Sequence, residues 1–306
     1  MSVNVADRLR GALLGTALGD AVGAPFEGRS RVTTGEVEDW LASSARLRWT
    51  EDTHMALTLG QVLRDAHGTL ETQRLGDAFA AAYAAEPWRG YGAGPPQVFA
   101  LARRGMTYVE AAGSLFGGSG SFGNGAAMRV APVALAAGAD VERAAELAAV
   151  QARVTHTHPE AVDGAVFIAT AVCALAAGDG GGREVAPRLE AVVGRLPAGS
   201  LRTAVMDLLA AELAGDDLAA VARRIGTGVA ARESVPAAVA ALLDGEDVVS
   251  TLVAAVRLGG DTDTIAAMAG AMAGAAYGAS AIPDRLLARL EALDELEALA
   301  TALGAS

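Results

Sequence analysis

The segment Gly259-Gly260-Asp261-Thr262-Asp263-Thr264 leads directly into an apolar run from Ile265 to Met272. This run predicts a buried helix, and the two glycines before it allow a tight turn at its start. Asp261, Asp263 and Thr264 would then place hard oxygen ligands, of the kind that Mg²⁺ prefers, around one point. The segment therefore predicts half of a metal site. Helix capping is the alternative, because Asp and Thr favour helix starts whatever the function.

A second acidic cluster, Thr50-Glu51-Asp52-Thr53-His54, opens another predicted helix far earlier in the chain. Thr50, Glu51 and Asp52 could also cap this helix or complement its dipole. Two separate helix starts that each carry two acids and threonine favour a shared binuclear site over two coincidental caps, since each cation needs about six oxygen ligands. His54 is a softer ligand, and we assign it a packing role beside the cluster.

The composition predicts a helical protein with a large core. The chain has 306 residues, of which 52% are hydrophobic and 4% aromatic, and alanine and leucine are abundant. Because the motifs are spread from Glu27 to Thr264 and must converge, we predict a single domain over residues 1–306. The net charge of −12 argues against nucleic acid or an anionic membrane as a partner. No oligomeric state is predicted.

The cellular location is predicted from the lack of targeting and membrane-spanning segments, and the role of the single cysteine from its apolar surroundings. The N-terminus has no signal pattern, and no segment has about 18 uninterrupted apolar residues, so we expect a soluble cytoplasmic protein without a membrane span. The lone cysteine, Cys173, lies in an apolar run and is expected to fill the core.

The first predicted helix, over residues 8–24, carries Gly11, Gly15 and Gly19, which would let a neighbouring helix approach closely. Gly23 and Pro25 end it and leave Glu27 in a loop. Further helices are predicted over residues 49–57, 70–86, 126–137, 141–154, 161–177 and 264–277, with a charged amphipathic segment over 283–303. Residues 178–183 are predicted to form a linker, and 184–245 short helices with solvated faces and no chemistry.

Two glycine-rich loops are candidates for binding an anion. The loop over 116–125 precedes the helix predicted over 126–137, where backbone amides and the helix dipole would favour phosphate. It matches neither the P-loop nor the dinucleotide fingerprint. Phe116 and Phe122 flank it and could stack on a base, or could belong to the core. The loop over 86–96 is interpreted as a connector. His156 is a candidate hydrogen-bond donor to ligand oxygens, with a structural role as the alternative.

Five ordered motifs resemble the ADP-ribosylhydrolase family, which is typified by the dinitrogenase-reductase-activating glycohydrolase. They are Arg10-Gly-Ala-Leu-Leu-Gly-Thr-Ala-Leu-Gly-Asp20 with Glu27, Trp49-Thr-Glu-Asp-Thr53, Gly123-Asn-Gly-Ala-Ala-Met-Arg-Val130, Thr155-His156 and Gly259-Gly-Asp-Thr-Asp-Thr264. The resemblance covers nearly the whole chain. It implies an all-α fold, a single orthogonal multi-helix bundle with a central metal-lined cleft.

The resemblance also implies a function and a set of site residues. Two Mg²⁺, or Mn²⁺ in some members, would be held by Thr50, Glu51, Asp52, Asp261, Asp263 and Thr264, and Glu27 would assist metal binding and catalysis. The chain is most similar to the branch that acts on ADP-ribosyl-serine, poly(ADP-ribose) and O-acetyl-ADP-ribose. The ligand ADP-ribose would then be bound by Gly90, Gly92, Gly94, Phe116, Ser121, Phe122, Gly123, Asn124 and His156. Glu27, Glu51 and Asp52 are the candidates for positioning or deprotonating water.

One position departs from the family pattern. Members usually have Thr-Asp-Asp-Thr where this chain has Thr50-Glu51-Asp52-Thr53. The extra methylene of Glu51 could change how this carboxylate binds a cation, because Mg²⁺ demands ligand distances near about 2.0–2.1 Å. Alternative functions are an arginine-linked ADP-ribosyl hydrolase and a non-catalytic ADP-ribose-binding relative.

Overall fold

The computed structural model describes residues 5–178 and 184–304, in which the regular structure is helical and only isolated β-bridges occur. The helices are α1 (Val5–Gly23), α2 (Thr34–Ala42), α3 (Glu51–Asp65), α4 (Thr72–Ala85), α5 (Gly94–Ala102), α6 (Tyr108–Gly118), α7 (Ala131–Ala137), α8 (Val141–Ala152), α9 (Pro159–Ala176), α10 (Val185–Val193), α11 (Ser200–Ala214), α12 (Leu218–Ile225), α13 (Ala231–Asp244), α14 (Val248–Arg257), α15 (Thr262–Tyr277), α16 (Asp284–Leu287) and α17 (Leu293–Gly304). The predicted all-α class is confirmed. Apart from Gly178, the predicted linker lies outside the described residues.

Helices α1 and α15 run antiparallel at the centre of the fold, in contact along a stripe of glycines. A methyl group placed on Gly15 would lie 2.0 Å from the carbonyl oxygen of Gly270, and one on Gly19 would lie 2.0 Å from that of Ala266. The same contact repeats between Gly11 and Gly274. Backbone therefore packs directly against backbone, as predicted from the spacing of the first three glycines. The pairing sets the end of α1 beside the start of α15.

The remaining helices enclose this pair. Helices α9, α13 and α14 pack against α15, and α7, α9, α14 and α17 pack against α1. Within the described residues, only α9 is long and apolar enough to cross a membrane by length and composition, and 72% of it is buried in the protein. Its apolar character is therefore explained by its central position. Cys173 of α9 is fully buried, as predicted.

Several helix boundaries differ from those predicted. The helix predicted over 126–137 is wrong in its first part, because Asn124–Ala126 forms a 3₁₀ turn and α7 begins only at Ala131. The loop predicted over 86–96 ends earlier, since Pro95 and Pro96 lie in the first turn of α5, where proline needs no hydrogen bond. Helices α2, α5 and α6 lie in segments for which no helix was predicted.

The α1–α15 contact makes a direct prediction. Gly15→Ala should lower the free energy of unfolding by at least about 1–3 kcal/mol, because the new methyl group meets backbone that cannot rotate away. Gly35→Ala, in exposed α2 with open space around it, is the matched control and should cost nothing. Urea denaturation measures both. Equal stabilities of the two variants would contradict the account of the contact.

Candidate active site

Three chain segments meet where α1 ends. The last turn of α1, the first turn of α3 and the first turn of α15 converge there, and each carries carboxylates. Asp20, Asp52, Asp261 and Asp263 are all buried. The two acidic clusters, far apart in sequence, are therefore brought together as predicted.

Asp20 joins α1 to α3. Its carboxylate accepts hydrogen bonds from the hydroxyls of Thr50 and Thr53, at 2.9 and 2.6 Å, and from the backbone N–H groups of both residues. Burial raises the pKa of Asp20 to about 6, although these four donors oppose the shift. The residue belongs to a quoted motif but was not predicted as part of the site. Its bonds fix the orientation of the α3 start.

The Glu27 loop is bonded to the glycine pair. Gly28 N–H donates to the carbonyl of Gly260 at 2.8 Å, and Gly260 N–H donates to that of Arg29 at 2.9 Å. Gly260 has a φ of 80°, a left-handed conformation that glycine adopts without strain. These bonds bring the exposed carboxylate of Glu27 close to those of Asp261 and Asp263. One carboxylate oxygen from each of the three residues lies within 4.8 Å of the other two.

Capping does not explain the carboxylate at the start of α15. Asp261 occupies the N-cap position but makes no side-chain capping bond. It instead accepts a hydrogen bond of 2.6 Å from the Asn124 amide. At α3, the Thr50 hydroxyl makes a long contact of 3.5 Å to Asp52 N–H and a shorter bond to Asp20. The acids are thus available to a ligand.

These carboxylates border a cavity of about 360 Å³. Most of the predicted site residues line it: Glu27, Glu51, Gly90, Gly92, Gly94, Phe116, Ser121, Gly123, Asn124, His156, Asp261, Asp263 and Thr264. Thr50, Asp52 and Phe122 are not part of the lining. Three larger surface cavities, of about 850, 670 and 600 Å³, contain none of the predicted site residues. Chemistry rather than size therefore distinguishes the site.

The loop from Gly90 to Ala93 is held by Arg89. The Arg89 guanidinium lies 3.7 Å from the ring centre of Trp49 and 4.4 Å from that of Trp88, and it pairs with Glu86 and Glu291. Glu51 N–H donates to the Arg89 carbonyl at 2.9 Å. The loop is thereby tied to the start of α3 and is more than a connector.

Phe116 and Phe122 are exposed, which excludes the alternative that they belong to the core. Their side chains are 58% and 41% accessible, and their ring centres are 6.3 Å apart. Phe116 has a φ of 51°, a left-handed conformation that is costly for a large side chain. Such strain is typical of functional sites. Both rings are available to a planar ligand at the cavity entrance.

Other site residues were missed by the sequence analysis. Val229 lines the cavity, and Thr227 accepts a hydrogen bond from Asp261 N–H at 2.8 Å, although 184–245 was predicted to carry no chemistry. Arg129 also lines the cavity and is fully buried. The residue spacing in 226–230 does not indicate that this loop contacts the site. Arg129, in contrast, belongs to the motif Gly123-Asn-Gly-Ala-Ala-Met-Arg-Val130 that resembles the family.

Comparison with known proteins identifies the family. The sequence profile described as ADP-ribosylglycohydrolase matches residues 1–306. The chain belongs to the ADP-ribosylglycohydrolase family. It is 34% identical to ADP-ribosylhydrolase ARH3 of Bos taurus and 33% identical to that of Homo sapiens, in each case over 97% of this chain and 92% of the relative. The suspected resemblance is confirmed, and the chain is a glycosidic-bond hydrolase of this type.

A solved structure described as an ADP-ribosylglycohydrolase-related protein complex is also similar. It has a TM-score of 0.77 and 30% sequence identity, and the match covers 99% of this chain and 98% of the other. The helical arrangement that brings the acidic helix starts together is therefore that of the ADP-ribosylglycohydrolase fold.

The electrostatics of this ADP-ribosylglycohydrolase site are those of crowded negative charge. Burial and the carboxylates of Asp20, Glu27 and Asp261 raise the pKa of Glu51 to about 7. Burial and Asp261 raise the pKa of Asp263 to about 9. Burial, followed by Asp20, raises that of Asp52 well above its usual value. Each shift means that added positive charge would stabilise the site.

We expect the metal-free protein to lose stability as pH rises from about 6 to about 9. In that window the folded state retains a proton on Glu51 up to about pH 7 and on Asp263 up to about pH 9, whereas in the unfolded chain both groups have pKa values near about 4 and are ionised. The folded state therefore binds more protons, and its free energy of unfolding falls with pH. Urea denaturation in a chelator measures the trend. Stability that is constant or rises with pH would contradict it.

Proposed function

We propose that the chain is a Mg²⁺-dependent hydrolase that cleaves the glycosidic bond at the anomeric carbon of O-linked ADP-ribose, on serine side chains or on small acceptors such as O-acetyl-ADP-ribose. Mn²⁺ is the other candidate cation. The observation that carries the proposal is the convergence of two acidic helix starts on one cavity that is also lined by two glycine loops and Phe116.

The donor set fits divalent cations. The Oδ2 atom of Asp52 is buried and has no hydrogen-bond partner among the described residues, a costly state for a carboxylate that a cation would relieve. Thr50, Glu51, Asp52, Asp261, Asp263 and Thr264 would hold the ions, as the resemblance implies. Mg²⁺ held there would supply positive charge to orient ribose hydroxyls and to lower the pKa of water.

The three acids that are candidates for positioning or deprotonating water differ in their access to the cavity. Glu27 and Glu51 line it, whereas Asp52 is 1% exposed and lies behind them. Asp52 is therefore suited to holding a cation. Glu27 is exposed, lines the cavity and lies beside Asp261 and Asp263. Besides assisting metal binding, as the resemblance implies, it is the preferred acceptor for the proton of the attacking water, while the surrounding carboxylates would stabilise the positive charge that develops on the ribose.

The ligand end of the cavity suits a diphosphate and a base. Backbone amides of the glycine loops would receive phosphate oxygens, and the exposed rings of Phe116 and Phe122 would stack on adenine. These loops are the ones that resemble the serine-type branch, and relatives named ARH3 are among the most similar proteins. The first point favours an O-linked over an arginine-linked substrate, and the second supports hydrolysis of an ADP-ribosyl linkage.

A substrate panel tests the proposed function. The purified chain should release ADP-ribose, in the presence of Mg²⁺ or Mn²⁺, from serine-linked peptide and from O-acetyl-ADP-ribose faster than from an arginine-linked peptide. Glu27→Gln should lower kcat by about 10²–10⁴-fold, because the amide cannot accept the proton. Glu38→Gln, which makes the same change far from the site on α2, is the control.

Two results would contradict the proposal. Faster release from the arginine-linked peptide would assign the other linkage. Binding of ADP-ribose without release from any substrate would assign a non-catalytic reader.

A further inference from the structure

A buried cation lies beside the cavity and has no assigned role. Arg129 is fully buried, with its guanidinium 4.7 Å from the ring centre of Phe79. Its Nε donates to the Gln151 side-chain oxygen at 2.8 Å, and its Nη2 donates to the Gln151 carbonyl at 3.2 Å. The hydrogen-bond acceptors recorded for this guanidinium are therefore uncharged. Burying a charged guanidinium without a carboxylate partner costs free energy, so we expect a role that offsets this cost.

One further bond links Arg129 to His156 through a single hydroxyl. Arg129 Nη2 donates to Thr155 Oγ1 at 2.8 Å, and the same oxygen lies 2.8 Å from His156 Nδ1. All three residues are buried. A guanidinium has only donors, so the direction of the first bond is certain.

That first bond determines the direction of the second. If Nδ1 carried the proton, Thr155 Oγ1 would accept from both neighbours, and its own hydroxyl proton would have no acceptor among the described residues. Buried donors without acceptors are strongly disfavoured. If Nδ1 is unprotonated, the hydroxyl proton satisfies it, and the neutral ring carries its proton on Nε2.

The ring is also held from its other side. A methyl group on Gly125 would lie 2.9 Å from His156 Cε1 and 3.1 Å from Nε2, and one on Gly123 would lie 3.6 Å from Nε2. The ring thus packs against the 123–125 backbone and lines the cavity. Nε2 has no hydrogen-bond partner within the described chain. Burial, followed by Arg129, lowers the pKa of His156 to about 3, which keeps the ring neutral.

We propose that Arg129 and Thr155 are positioning residues that fix His156 as its Nε2–H tautomer, so that a neutral donor of set direction faces an oxygen of the bound ADP-ribosyl ligand. The proposal rests on the proposed function for the identity of the ligand. The tautomer itself depends only on contacts within the chain.

The first test measures the tautomer without ligand. Nitrogen NMR of the full chain labelled with ¹⁵N-histidine, with His156→Gln to assign the signal among four histidines, should show His156 protonated on Nε2 and unprotonated on Nδ1. Thr155→Val, which keeps the side-chain shape but removes the hydroxyl, should abolish this single tautomer. Thr155→Ser should preserve it. Protonation of Nδ1 in the wild type, or an unchanged signal in Thr155→Val, would overturn the proposal.

The second test measures ADP-ribose binding by calorimetry. Thr155→Val should weaken binding by about 5–10-fold, the effect of one lost hydrogen bond, while Thr155→Ser stays close to wild type. Thermal melting of all three proteins controls for folding. Wild-type affinity in a Thr155→Val protein with altered tautomer would overturn the link to the ligand. Absence of ADP-ribose binding to the wild type would instead refute the proposed function and leave the tautomer result standing.

Discussion

The close contact between α1 and α15 is the constraint on which the site depends. Because glycines let the two backbones touch, the end of α1 and the start of α15 are fixed relative to each other with no side chain between them. Asp20 then ties α3 to the same point through Thr50 and Thr53. Acids from three elements are thus held at one position by rigid parts of the fold, which is the arrangement that precise metal binding requires.

This rigidity also explains the electrostatics on which the proposed cation binding rests. The carboxylates are buried and cannot move apart, so burial first and their mutual repulsion second raise the pKa values of Asp52 and Asp263. The Oδ2 atom of Asp52 also has no hydrogen-bond partner among the described residues. Among the described residues that line the cavity, the one lysine or arginine side chain is that of Arg129, whose recorded hydrogen bonds go to uncharged acceptors. The cavity therefore presents an acidic end beside a region of amides, exposed rings and a neutral imidazole, which matches a sugar diphosphate.

The sequence predicted the parts of this arrangement that have local signals. The glycine spacing of α1 and the acids at two helix starts were sufficient, with the resemblance, to assign the family and the all-α fold. Helices α2 and α6 were missed, although Thr33 with Glu36 and Thr107 with Glu110 form capping boxes that mark helix starts. Val229 could not be found from sequence, because only tertiary packing brings its loop beside Asn124.

Anomalous diffraction from crystals soaked in Mn²⁺ tests the central claim most directly. The account predicts two anomalous peaks in the cavity, between the α3 start at Glu51 and Asp52 and the α15 start at Asp261 and Asp263. Side chains that point away from one another with no peak between them would contradict the assignment of a shared metal site.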